Sequence, residues 1–364
     1  MASTGPEGGW HTGAMRVLVA MSGGVDSSVA AALLVEAGHD VVGATLKLWG
    51  GESDSGCCSV GDVDDARRVA QQLGIDHHVF NLTDEFVAHV VAPYVEAHAR
   101  GRTPNPCIEC NRSIKFDRLL ARAGRMGFER LATGHHARVT GDRSLRLRRG
   151  ADVDKDQSYV LSMLGQGELA RVVFPVGEMT KSDVRAHAAR LGLRTAGKPD
   201  SQDVCFIGSE EGRGGFLSRQ LEFHAAEVVN GAGDPVGTVD AVELVTVGQR
   251  KGMGHGTDGA RRYVVAVDVP SRRVTVGSAA EAVTSAIALP SSTLTWVDRP
   301  LGDGARAVAQ VSAHGRPAPC SLARTDDGLM VEFDVPQRPV AAGQTVALYD
   351  IVDQDAVVGA GIAA

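Results

Sequence analysis

From residue 16 onward, short apolar runs alternate with segments of helical period. RVLVAM (16–21) is strand-like, residues 27–37 are helix-like, and Gly38 supplies the left-handed stop that commonly ends a helix. DVVGATLKLW (40–49) predicts a second strand. In the DVDDARRVAQQLG that follows, Val63, Ala66, Val69 and Leu73 share one helical face, closed by Gly74. Further strands are expected at 77–82 and 129–133 and further helices at about 83–99 and 111–125. TKSD (180–183) reads as a capping box opening a helix to about Leu191. Alternation of this kind means βαβ units, hence an α/β domain with a Rossmann-like parallel sheet covered on both faces. After about Gly215 the texture changes. TVDAVELVTV, RRYVVAVDV, RRVTVGS, GLMVEFDV and TVALYDIV are short Val-rich runs broken by Gly, Pro, Asp and Asn, the pattern of small antiparallel barrels. The expected organisation is a loose extension over 1–14, a nucleotide-type α/β domain over 15–215, a small linker domain over 216–280 and an antiparallel β-barrel over 281–364.

Length and composition agree with this division. A chain of 364 residues exceeds one ordinary core, and 43% hydrophobic with 22% charged residues excludes a disordered, collagenous or coiled-coil protein. No run approaches the roughly 18 apolar residues of a membrane span, so no membrane role is expected. The first 14 residues lack the basic start and apolar centre of a secretory signal. Six cysteines without regular pairing make no disulfide framework, which points to a reducing, cytoplasmic setting. The net charge of −7 leaves no overall basic footprint. Between Arg100 and Lys155, however, 14 Lys and Arg stand against 6 Asp and Glu. Such a local excess suits a polyanion, and it also suits a solvated arginine-rich surface.

SGGVDSS (22–28) lies between the first strand and the first helix, where a parallel sheet places its ligand crevice. Gly23 and Gly24 let the backbone approach a ligand, Ser22, Ser27 and Ser28 supply hydroxyls, and the helix amino terminus presents N–H groups to an anion. These are the parts of a phosphate cradle. It ends neither as a Walker loop nor as a dinucleotide fingerprint. Asp26 among phosphate-binding groups would repel the ligand unless it held a cation, so Mg²⁺ bridging Asp26 to phosphate is inferred. Three thiols also call for explanation. Cys107 and Cys110 form a CxxC pair before a helix, where the helix terminus and Arg112 favour the Cys110 thiolate, and Cys205 stands in DSQDVCFIG. Two thiols suit sulfur delivery, because one can attack a persulfide on the other. CxxC with a third Cys is also what a [4Fe–4S] cluster with one open iron requires, a secondary reading; zinc lacks an obvious fourth ligand. Adjacent Cys57 and Cys58 and the motif-free Cys320 read as surface or core thiols. His135 and His136 are adjacent, so their side chains should diverge.

The phosphate loop resembles that of the PP-loop, or N-type ATP pyrophosphatase, superfamily. GRTPNPCIECNRSIKF, TGHHAR, KDQSYVL, DSQDVCFIG, TVGQRKGMG and PQRPVAAGQTVALYD extend the resemblance, in order, to the tRNA-specific 2-thiouridylase family from about Arg16 to the carboxyl terminus. That resemblance implies ATP binding by Ala20, Met21, Ser22, Gly23, Gly24, Val25, Asp26 and Ser27, with Leu46 against adenine and Gly134 also at ATP. It implies Cys110 as thiol nucleophile and Cys205 as persulfide carrier, fed by an upstream persulfide sulfur donor. Cys107 departs from relatives with Asp there. Asn105, Pro106 and Cys107 match a stretch touching the target base, and His135, Lys155, Asp156, Gln157 and Gln344 match tRNA contacts. QVSAHGRP (310–317) is less basic than its counterpart in many relatives. The implied reaction is ATP-dependent 2-thiolation of a wobble uridine. A carboxylate-adenylating PP-loop ligase and a non-enzymatic sulfur carrier are the rival readings; the first has no use for three thiols and the second none for a phosphate cradle.

Overall fold

The computed structural model describes residues 13–49, 60–200, 204–208, 210–256 and 259–364. Cys57, Cys58 and nearly all of the amino-terminal extension lie outside them.

The alternating first half builds a five-stranded, wholly parallel sheet. Its strands are β1 (Arg16–Ala20), β2 (Asp40–Lys47), β3 (Asp76–Asn81), β4 (Arg130–Thr133) and β7 (Val172–Val173), in spatial order β3-β2-β1-β4-β7, while β5 (Ala137–Thr140) and β6 (Arg146–Arg149) pair separately as an antiparallel ribbon. Chain order reverses on either side of β1, so a ligand crevice opens between the carboxyl ends of β1 and β4. The apolar strand residues are buried on both faces, as a covered sheet requires: Val17, Leu18 and Val19 are solvent-inaccessible. One cover is α1 (Val25–Glu36), whose Ala30, Ala31 and Ala32 allow close approach. Another is α2 (Val60–Leu73), which buries Ala66, Val69 and Ala70. The expected capping box forms: Thr180 Oγ1 accepts from Asp183 N at 3.2 Å, and the helix Lys181–Arg190 follows.

Two antiparallel helical stretches, 83–99 and 106–125, pack beside the sheet. The second starts five residues earlier than the periodicity indicates. Asn105 caps it by accepting the Cys107 N–H at 3.0 Å, and Pro106 fixes its first turn. From Cys110 to Leu119 it winds in the wider i→i+5 form, a local departure often found at functional sites. Phe116 packs on His135 beyond the end of β4, whereas Glu129 N meets Arg16 O at the start of β1. The helix therefore runs down the sheet, and Cys110 lies beyond the carboxyl ends of the strands, on the crevice side.

The Val-rich half forms two further sheets. One has the order β10-β11-β8-β9 over β8 (Ala226–Val229), β9 (Pro235–Val239), β10 (Tyr263–Asp268) and β11 (Arg273–Gly277). It departs from a purely antiparallel expectation because β8 and β11 pair in parallel. TVDAVELVTV is not one strand: Val242–Leu244 is a single tight turn. The other sheet is antiparallel and seven-stranded, in the order β12-β16-β15-β14-β17-β18-β13. Its strands are β12 (Thr284–Pro290), β13 (Thr295–Trp296), β14 (Arg306–Gln310), β15 (Ala318–Thr325), β16 (Gly328–Gln337), β17 (Thr345–Asp350) and β18 (Val357–Ile362). It curls into a barrel-like form until Ala364 N donates to Ala288 O at 3.0 Å, returning the chain end to β12. The barrel does not stand apart. Val308, Ala347, Tyr349, Val357 and Ala360 share one continuous core with Leu18, Phe116 and Tyr159 of the α/β half.

Candidate active site

The loop after β1 is shaped by its own serines. Ser27 Oγ accepts from Ser22 N and donates to Gly24 O, both at 3.2 Å, and Ser28 Oγ donates to Gly24 O at 2.8 Å. Gly23 adopts φ +73° and lies against the Asp62 backbone, where a Cβ would clash. Gly134, just past β4, sits so close to the first turn of α1 that a Cβ would come within 2.5 Å of Ser27 N. These two glycines bring the β4 exit and the α2 start onto the loop, leaving the α1 amino terminus at the mouth of the crevice.

Asp26 is the loop's only carboxylate. Its oxygens accept from Lys181 Nζ at 2.8 and 2.7 Å, and His136 Nε2 lies 3.2 Å from Oδ1. Burial by itself would raise the Asp26 carboxyl, but the hydrogen bonds from His136 and Lys181 outweigh it and hold the group below its ordinary range. Lys181 Nζ also reaches Asp200 Oδ1 at 2.8 Å. Lys155 Nζ (2.8 Å) and Arg185 (2.9 Å) converge on the same carboxylate. On the other side of the loop Lys198 Nζ donates to Gly23 O at 3.1 Å, to Asp62 at 2.5 Å and to Asp65 at 2.7 Å. Asp200 opens the DSQDVCFIG motif, but the pairings of Lys181 with Asp26 and Asp200, of Lys198 with Asp62 and Asp65 and of His136 with Asp26 are invisible to motif reading, because the partners are remote in sequence. The available signal was the position of Lys181 in the first turn after the capping box.

The two histidines diverge as expected, although in the loop after β4 rather than on a strand. His136 turns to Asp26. His135 turns inward between Phe116 and Phe174, with Nδ1 2.6 Å from Thr133 Oγ1. Burial, then the charges of Lys115 and His136, push His135 well below the usual imidazole range, so it is neutral. Its side chain is therefore not displayed to RNA in this conformation. Leu46 is likewise a core residue of β2, 8% exposed.

A line of hydrogen bonds joins this crevice to the CxxC helix. His136 N donates to Gln157 Oε1 and Gln157 N to His136 O, both at 2.9 Å, and beyond them Asn111 Nδ2 donates to Val160 O at 3.0 Å. Asn111 follows Cys110. Asp156 is also turned inward, accepting from Arg149, from Gly150 N and from Ser158. In the KDQ tripeptide the Lys155 side chain is 38% exposed and leans on Asp200, whereas that of Asp156 is 7% exposed. Gln344 donates to Thr103 O, which ties the barrel to the TPNP loop. The arginine excess is partly consumed by structure too. Arg138 pairs with Glu178 and Asp355, Arg148 with Asp353, and Arg149 with Asp156 while covering the Tyr349 ring at 3.8 Å.

Cys107 is exposed, Cys110 is buried and Cys205 is intermediate. Phe206, beside Cys205, is 1% exposed and packs on Trp49, Phe86, Tyr94 and Phe216 at centroid distances of 6.1, 5.7, 5.5 and 5.1 Å. Burying one such ring stabilises by roughly 1.5–3 kcal/mol, enough to anchor the Cys205 segment there. Cys107 approaches the same cluster: burial raises the Tyr94 hydroxyl, the Arg213 charge opposes that rise, and Cys107 adds to it. Among the described residues no three His, Cys, Asp or Glu side chains converge to hold a metal. A cluster on Cys107, Cys110 and Cys205 therefore does not fit this arrangement. Mg²⁺ does fit, because it commonly takes one or two protein carboxylates and draws its other ligands from phosphate and water.

A family model described as tRNA methyl transferase HUP domain matches residues 15–209. Others described as tRNA methyl transferase PRC-barrel domain and aminomethyltransferase beta-barrel domain match 214–278 and 288–363. The tRNA-specific 2-thiouridylase MnmA of Mycobacterium avium (strain 104) is 47% identical over 343 residues, covering 92% of this chain and 94% of the relative. This chain belongs to the tRNA-specific 2-thiouridylase family. The MnmA of Mycobacterium leprae (strain Br4923) is 46% identical over 95% of this chain and 98% of the relative. Among solved structures, the U34-tRNA thiolase NcsA from Methanococcus maripaludis with its [4Fe-4S] cluster covers 52% of this thiouridylase-family chain and 60% of its own. At 19% identity and TM-score 0.35, no residue role follows from it. Among the described residues no helix is long and apolar enough to cross a membrane.

Proposed function

We propose that this protein uses ATP to replace the C2 oxygen of a tRNA wobble uridine with sulfur. The observation that carries the reading is the phosphate loop set at the same end of the sheet as the start of the CxxC helix, in a chain nearly half identical to named 2-thiouridylases along most of its length. The words "methyl transferase" in the family descriptions name a chemistry that needs neither a pyrophosphate-releasing loop nor paired thiols.

Each step has a physical reason. A carbonyl oxygen is a poor leaving group, so the C2 oxygen attacks the α-phosphate of ATP and pyrophosphate departs. The Ser22–Ser27 loop and the α1 amino terminus hold the β and γ phosphates, and Lys181 supplies positive charge beside Asp26. Mg²⁺ on Asp26 would neutralise phosphate charge. A persulfide on Cys205, charged by an upstream donor, then delivers its outer sulfur to C2 while the Cys110 thiolate closes a disulfide with Cys205 and AMP leaves. Lys155 contributes an RNA phosphate contact. The test is pyrophosphate release with and without unmodified tRNA, with nucleoside mass spectrometry for 2-thiouridine. RNA-independent pyrophosphate release with no thiolated nucleoside would point to another adenylating ligase.

A further inference from the structure

Thr45 is a buried polar residue of β2, beside the residue that leads into the phosphate loop. The β1–β2 register runs from Arg16 opposite Asp40 to Ala20 opposite Ala44, and its last rung is Met21 N donating to Ala44 O at 2.8 Å. A side chain then takes the Met21 carbonyl. Thr45 Oγ1 donates to Met21 O at 2.7 Å and, with its own proton so engaged, accepts from His77 Nε2 at 2.9 Å. His77 Nδ1 is buried without a hydrogen-bond partner among the described residues, in keeping with a neutral ring protonated on Nε2. Burial, then the charges of Arg67 and His78, lower the His77 pKa and keep it so. His77 lies opposite Gly43, on the same face as Thr45, and Gly43 leaves it room: a Cβ there would come within 2.6 Å of Met21 Sδ and 3.1 Å of His77 Cδ2. The consequence falls on Leu46. Backbone groups along a strand face its two neighbours alternately; Ala44 O faces β1, and Lys47 O, which accepts from Leu82 N at 2.9 Å, faces β3. Leu46 therefore turns its N–H and C=O to the β1 side, past the last rung and beside the phosphate loop. A donor and an acceptor side by side match the Watson–Crick edge of adenine, whose N1 accepts and whose 6-amino group donates. Guanine presents the reverse, a donating N1–H and an accepting O6.

We propose that Thr45, oriented by His77, is a positioning residue that makes the nucleotide site selective for adenine, resting on the ATP reading above. By holding Met21 O, the hydroxyl stops the β1–β2 ladder one rung short. Without it, that buried carbonyl would recruit the next N–H in line, which is that of Leu46. With it, the Leu46 N–H and C=O stay available to N1 and the 6-amino group. Thr45 thus acts on the base through Met21 and Leu46.

The test is titration calorimetry of the full chain with Mg²⁺, using α,β-non-cleavable analogues of ATP and GTP and, as a ligand without a base, inorganic tripolyphosphate. Wild type should prefer the ATP analogue to the GTP analogue by about 10²-fold or more, since a site built for one hydrogen-bonding edge leaves its polar groups unpaired against the other. Thr45→Val keeps the shape and removes the hydroxyl. It should weaken the ATP analogue roughly tenfold while the GTP analogue and tripolyphosphate stay within about twofold of wild type. Thr45→Ser should restore most of the preference, and His77→Phe, which keeps a ring and removes the donor, should fall between wild type and Thr45→Val. An unchanged ratio of ATP to GTP analogue in Thr45→Val overturns the proposal. So does an equal loss of all three ligands, which would mark a general distortion of the loop. A wild type that binds tripolyphosphate as well as the ATP analogue has no base site; that result sinks the ATP reading, and this assignment with it.

Discussion

Replacing Asp200 by Asn should cost stability in a pH-dependent way that can be worked out beforehand. Burial would raise this carboxyl, but the hydrogen bonds and charges of Lys155 and Lys181 outweigh burial and hold it at about 2, against an ordinary 3.8. Each unit is worth about 1.4 kcal/mol, so the folded state favours the ionised form by about 2 kcal/mol. The side chain is 21% exposed, so solvent screening trims this figure only modestly. Because the folded value is depressed, the contribution is complete above about pH 4 and is lost as pH falls through about 2. Asn keeps the shape and does not titrate. Urea unfolding at pH 7, 5, 3 and 2.5 should show wild type ahead by about 2 kcal/mol at the two higher values, with the gap closing at the lower two. A gap of the same size at pH 2.5 as at pH 7 would refute the electrostatic account and assign the loss to packing.

Three further outcomes are expected. Asp26→Asn should slow pyrophosphate release by roughly 10²–10³-fold, the usual cost of removing one charge-organising group, while filter-binding affinity for tRNA stays within about twofold. Lys155→Ala should weaken tRNA binding about tenfold or less and lower the slope of log affinity against log salt by about one; an unaltered slope removes Lys155 from the phosphate contacts. Cys110→Ser and Cys205→Ser should abolish 2-thiouridine formation, whereas Cys107→Ser in iron-free protein given a persulfide donor should retain a substantial part. Loss in all three, with wild-type activity following iron content, would restore the cluster reading.

Sequence patterning reaches the parts of this molecule governed by local physics. The parallel sheet, the phosphate loop and the Thr180 capping box are all legible, because strand alternation, glycine freedom and cap chemistry act over a few residues. Helix 106–125 begins early because an Asn–Pro start, not apolar periodicity, sets its first turn. The ion pairs around Asp26 and Asp200 are illegible for the opposite reason. Lys181 and Asp26 are 155 residues apart, and only the docking of one helix beside another brings them to 2.7 Å. Charge counting overstated the RNA-facing surface in the same way, since Asp353 and Asp355, some two hundred residues on, take up Arg138 and Arg148.

The core shared by the barrel and the α/β half also bears on how the molecule comes apart. Tyr159 donates to Thr345 O and Ser158 bonds the Tyr349 hydroxyl, both at 2.9 Å and both buried, inside one apolar mass that includes strands of each sheet. Opening that seam would strand polar groups without water and uncover two large rings together. The barrel is thus closer to a second wall of the same room than to a detachable annex. Heating should melt wall and floor in one calorimetric peak, while the sheet of β8 to β11, built around its own separate apolar cluster, is free to open by itself.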